Sequence, residues 1–162
     1  MVRSSLMVSP TARPRPTIPF DVVWDEPRTL LITRVRCASA PMDMTPYRDA
    51  LRGALARISP GSAFVWLSSA VGEDPGENRP AHAELRSILS VTLASCGFRT
   101  SLLDLYDGVD LPITRRRGVT CRAIAHVHQP RARVDASNEQ FGRPNERYFS
   151  DEGVALEWLA QL

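Results

Sequence analysis

The chain has no lysine. All 20 of its Lys+Arg positions are arginine, set against 18 acidic residues, for a formal net charge of only +2. So small a balance gives none of the broad basic field that nucleic-acid binding needs unless charge is clustered. Arginine alone in the basic role reads as the coding bias of a GC-rich, bacterial source rather than as a design for phosphate. Long apolar runs are missing too: none approaches the roughly 18 residues that argue for a membrane span. Cysteine is scarce. Cys37, Cys96 and Cys121 are odd in number, and no two form a C-x-x-C pair. A disulfide framework or a structural zinc site is therefore not expected, and buried, reduced thiols in a cytoplasmic protein are. No P-loop, dinucleotide fingerprint, G-x-S-x-G elbow or H-E-x-x-H motif is found. Kinase, dehydrogenase, hydrolase and zinc-protease readings lose their usual support, and no cofactor is implied.

What remains is an ordinary globular composition, 43% hydrophobic and 23% charged over 162 residues. That is enough for one domain around one core. Residues 1–19 carry four prolines, three arginines and no acid. Prolines so placed oppose an amphipathic helix, and a disordered tail is expected there, with a single domain over 20–162.

Hydrophobic periodicity divides that domain. "FDVVWDEPRTLLITRVRC" predicts two strands with Pro27 and Arg28 at the turn between them. Its second half alternates with period two. "TPYRDALRGALARI" predicts a helix capped by Thr45, with Pro46 first and a stripe of Tyr47, Leu51, Ala54, Leu55 and Ile58. "SAFVWLSSA" is almost wholly apolar, as in a strand covered on both faces. A polar loop at 71–79 leads to a helix from Pro80 to Cys96, closed by Gly97. Further strands are expected at "TSLLDLY", "CRAIAHVH" and "RYF", with a short helix in "VDLPITRRRG" and a helix or ordered loop at 133–143. The last helix should be capped by Ser150 and present Val154, Ala155, Trp158, Leu159 and Leu162 on one face. Strands alternating with helices predict an α/β fold: a mostly parallel, mixed sheet of about five strands with an antiparallel hairpin at one edge.

The close of the chain, Phe149, Ser150, Asp151, Ala155, Leu156, Trp158 and Leu159, resembles the "F-S-D-x-x-x-A-L-x-W-L" ending of the SpoIIAA-like branch of the STAS superfamily. "CRAIAHVHQP", "RTLLITRVRC" and "SLLDLYDG" are similar to earlier strands of that family, and the resemblance is strongest over about the last 65 residues. It implies a βα sandwich with no common enzymatic activity, serving as a non-catalytic binding or regulatory module for a protein partner or a small molecule. A homodimer is compatible with it. Better-known relatives are switched by phosphorylation of a serine in a D-S-S-G type motif. Ser68 and Ser69 follow a strand here, but no Asp precedes them, so that switch is not expected.

The chemistry-bearing residues point to one edge. His126 and His128 form an H-x-H on a strand, so both side chains face one way. They stand near the strand's C-terminal end, where open parallel sheets bind ligands. Ser69 and Asp107 should end their strands on the same edge, which makes Ser69, Asp107, His126 and His128 the expected ligand-binding set. His82 is close enough in the chain's layout to join the two histidines as a metal ligand. The alternative to a binding module is thus a small enzyme or metal-binding protein using His126, His128 and Asp107. Cys121, at an odd offset, should face away from the histidines, which disfavours a Cys/His nucleophile pair. Arg115, Arg116 and Arg117 could hold an anion, although a solvated loop explains them as well.

Overall fold

The computed structural model describes residues 15–37, 41–72, 79–101, 118–128 and 131–162. Five strands form one sheet: β1 (Phe20–Asp25), β2 (Leu30–Cys37), β3 (Ala63–Gly72), β4 (Thr120–Val127) and β5 (Glu146–Phe149). Their spatial order is β1-β2-β3-β4-β5. β1 and β2 are antiparallel, and every later pair is parallel. The helices are α1 (Thr45–Ala56), α2 (Arg79–Ser95), α3 (Arg131–Phe141) and α4 (Glu152–Ala160). The expected mixed α/β sheet with an antiparallel edge hairpin is therefore present. The strand expected at "TSLLDLY" and the short helix after it lie almost wholly outside the described residues, as does most of the 71–79 loop.

Neighbouring parallel strands joined by crossovers of one hand place successive helices on the same face. Accordingly α1, α2 and α3 all contribute to one core, through residues such as Leu51, Leu89 and Val134, against Leu31, Trp66 and Ile124 of the sheet. On the other face, among the described residues, α4 packs, setting Ala155 and Leu159 on Leu30, Val65, Leu67 and Ala125. β3 is buried on both sides through Phe64 to Leu67, as its unbroken apolar run requires. Arg34 of β2 clasps Glu152 at the start of α4 and Asp21 of β1, fastening helix and hairpin together.

Several local expectations need correction. The caps shift by one residue: Met44 precedes α1 and has no side-chain bond, while the carboxylate of Asp43 accepts from Thr45 N at 2.9 Å. Asp151, not Ser150, caps α4 by accepting from Val154 N at 2.9 Å. Val154 and Leu162 are about half exposed, at 53% and 47%. The α4 stripe is really Ala155 and Leu159, flanked by Leu156 and Trp158. Residues before Phe20 also pack. Ile18 is 1% exposed, its N–H donates to Asp43 O at 3.1 Å, and Pro19 O accepts from Arg36 N at 3.0 Å. The stretch 15–19 is thus part of the domain, because Ile18 supplies core that proline counting overlooks.

Two backbone features matter below. Thr29 in the β1–β2 turn has φ of +48°, a left-handed conformation that strains a β-branched residue. At the far side of the sheet the amide of Asn138 in α3 donates to Tyr148 O at 2.8 Å and accepts from Tyr148 N at 2.9 Å. A side chain thereby occupies the outer edge of β5 in the way a sixth strand would.

Candidate functional site

β4 and β5 run in parallel register, with Ile124 opposite Glu146 and His126 opposite Tyr148. The pleat sends Ile124, His126 and His128 toward the three-helix face, together with Glu146 and Tyr148 of β5. His126 and Tyr148 stack at 4.6 Å between ring centroids. His128 lies nearly parallel to both rings, 6.1 Å from His126 and 5.7 Å from Tyr148.

The hub of this cluster is Glu146, a carboxylate with no exposed surface. It accepts from Thr100 Oγ1 at 2.5 Å and from Ser101 N at 3.1 Å. Arg143 Nη2 donates to it at 2.7 Å, and His126 Nε2 lies 2.9 Å away. Burial pushes this acid upward, but the His126 hydrogen bond and charge, the Thr100 hydroxyl and the Ser101 N–H outweigh it and hold it at about 2. An ionised carboxylate only accepts, so the proton between the pair belongs to His126 Nε2. Chain geometry explains how the acid comes to lie inside. A tight turn pairs Arg143 with Glu146 through both backbone bonds, at 2.8 and 3.1 Å. Gly142 makes room for the approach, since a Cβ there would lie 2.4 Å from Asn138 O.

His128 is only partly buried, yet burial, followed by His126, His82, Arg133 and Arg86, pulls it down to about 3. His82 is lowered as well, first by burial and then by Arg86 and Arg133. Histidine titration near neutral pH is therefore not available to His128. The phenol of Tyr148 is pushed up by burial and by Glu146, against a smaller lowering by the Ser101 side chain.

The structure brings together His126 and His128, with His82 close enough to bias His128 electrostatically. Ser69 is not with them. It pairs with Val127, one residue out of phase with His126, and so points to the α4 face. Asp107 and Arg115, Arg116 and Arg117 lie outside the described residues. Among the described residues no three His, Cys, Asp or Glu side chains gather to hold a metal. Cys121 corrects an expectation: it shares the three-helix face with Ile124. The reason is a bulge in β4. Phe64 pairs with Cys121 and Val65 with Ala123, leaving Arg122 as an extra residue that reverses the parity. Burial still pushes the Cys121 thiol far above its ordinary range, so it is no nucleophile.

Beside this cluster, an open cleft of about 900 Å³ lies between α3, β5 and the start of α4, lined by Arg131, Asn138, Arg147, Ser150 and Asp151 among others. Sequence reasoning missed Glu146 and its donors. The available signal was parity with Tyr148 two residues on, hidden within the turn-like "GRPNE". Comparison with protein-family models, with curated proteins and with solved structures finds no match to this chain.

Proposed function

We propose that this protein is a non-catalytic binding or regulatory module of the STAS-like type, using the cleft between α3, β5 and α4 to hold a partner. One observation carries the reading: the acid–base groups at the end of β4 and β5 are spent on one another. Glu146 receives four donors and His126 is 1% exposed, with its Nε2 committed to that carboxylate. A general base must reach its substrate, and these two cannot. The resemblance of the α4 segment to STAS-like chains supports the same class, and no helix of the described residues is long and apolar enough to cross a membrane. A cytoplasmic, bacterial protein is the setting that fits this reading.

The test is capture of partners from a source-cell lysate by wild type, by His128→Ala and by Arg131→Glu/Arg147→Glu. A partner kept by His128→Ala and lost from the double variant supports a binding face at the cleft. Turnover of any small molecule that His128→Ala abolishes, with an unchanged melting curve, would overturn the proposal in favour of an enzyme.

A further inference from the structure

The two margins of the sheet are treated differently. At β5 the Asn138 amide holds Tyr148, and Arg143 exchanges backbone bonds with Glu146 at 2.8 and 3.1 Å. At β1 no described residue covers the strand, and its sequence FDVVWD pairs with β2 in unbroken register. It therefore lacks the proline, bulge or lysine that commonly blunts an edge. Its two acids are neutralised within the chain, Asp21 by Arg34 at 2.9 Å and Asp25 by Arg28 at 3.6 Å. Phe20 and Val23 stay exposed there, at 36% and 39%.

The phase of the ladder decides which backbone groups are open. Arg36 N donates to Pro19 O at 3.0 Å, so Pro19, Asp21, Val23 and Asp25 are the positions that bond to β2. Phe20, Val22 and Trp24 turn their N–H and C=O groups outward. This window is closed at both ends. Upstream, Ile18 N donates to Asp43 O at 3.1 Å, so residue 43 already occupies the margin. Downstream, Thr29 N donates to Glu26 O at 3.1 Å in a turn that contains the left-handed Thr29, and the chain leaves the edge. Val22 is the centre of what remains. An antiparallel copy centred there sets Phe20 opposite Trp24 of the second copy and Val22 opposite its own equivalent. Each open N–H then meets an open C=O, because the facing positions share one parity.

We infer that two copies of this chain pair through β1, antiparallel about a twofold axis at Val22, and so join their sheets. A second copy matches the window in length, in phase and in apolar character by symmetry alone, and the aromatic pair of Phe20 with Trp24 adds to the seam. The strip is short, so a weak interface is expected, with a dissociation constant of about 1–100 μM. The experiment is sedimentation equilibrium of the whole chain over a concentration series, with two charge variants of the exposed Val23. In this register Val23 faces Asp21 of the second copy. Val23→Asp should therefore weaken the dimer about fivefold or more, since the like-charge contact occurs twice about the axis, while Val23→Arg should keep or tighten it. Matching melting curves of the dilute variants will show that the fold is intact. A further variant, Val22→Cys, should give a disulfide-linked dimer on mild oxidation that the wild-type chain does not form. A monomer at every concentration would overturn the inference and leave the margin to a strand from a different protein. A dimer equally affected by both charges at Val23, or one that Val22→Cys fails to cross-link, would overturn it as well.

Discussion

At the scale of single residues, Glu146 is the most consequential side chain. Exchanging its carboxylate for an amide removes the charge that Arg143 and His126 share and turns an NH₂ toward Thr100 or Ser101. Glu146→Gln should cost about 3–5 kcal/mol, as breaking a buried ion pair does, measurable by urea unfolding. A loss under 1 kcal/mol, by the same standard, would show that the network is slack. Acid should destabilise the fold in two stages. His128 is held at about 3 against an ordinary 6.5, and Glu146 at about 2 against 4.5. In each case the unfolded chain takes up the proton first, so stability is full above the ordinary value and falls as pH drops toward the folded one. The melting temperature should begin to decline near pH 6.5 and steepen near 4.5. The first stage is limited to about 1 kcal/mol per pH unit. His128→Asn should shrink the first stage to the share of His82, which is lowered in the same direction, and leave the second, as a melting series from pH 8 to 3 would resolve. None of this is legible in the sequence, because a glutamate between a turn and a strand looks like surface until its donors are located.

At the scale of elements, the sequence reading and the structure agree where a periodic signal is strong and local. The β1–β2 hairpin, the Tyr47–Leu51–Leu55 stripe of α1 and the apolar run of β3 all sit where the residues predict. The reading fails where one residue changes a phase. The bulge at Arg122 moved Cys121 to the other face, and no local pattern announces an extra residue in a strand whose neighbours are Cys, Ala and Ile. α4 is a milder case. Its apolar residues nearly encircle the helix, so several stripes can be drawn, and only the tilt on the sheet selects Ala155 and Leu159. Leu159→Ala should therefore cost about 2–5 kcal/mol, and Val154→Ala, at a site 53% exposed, should cost less than about 0.5 kcal/mol. Thermal denaturation of the two variants side by side tests which face is inside.

At the scale of the whole molecule, packing against the sheet already includes residues upstream of the first strand. A chain that begins at Phe20 loses Ile18 and its bond to Asp43, and it should be less stable by about 2–4 kcal/mol, comparable to emptying an isoleucine site. A shortened chain that melts like the full one would return residues 15–19 to the tail. The Asn138 amide has a consequence at this scale as well. By holding the N–H and C=O of Tyr148, it leaves β1 as the one sheet margin without a backbone partner among the described residues. A particle with a single adhesive margin cannot polymerise through it. If two copies join by strand addition at this margin they do so β1 to β1, about a twofold axis, and each consumes the opening the other presents among the described residues. Growth by that route ends at a closed pair of sheets, never a fibril.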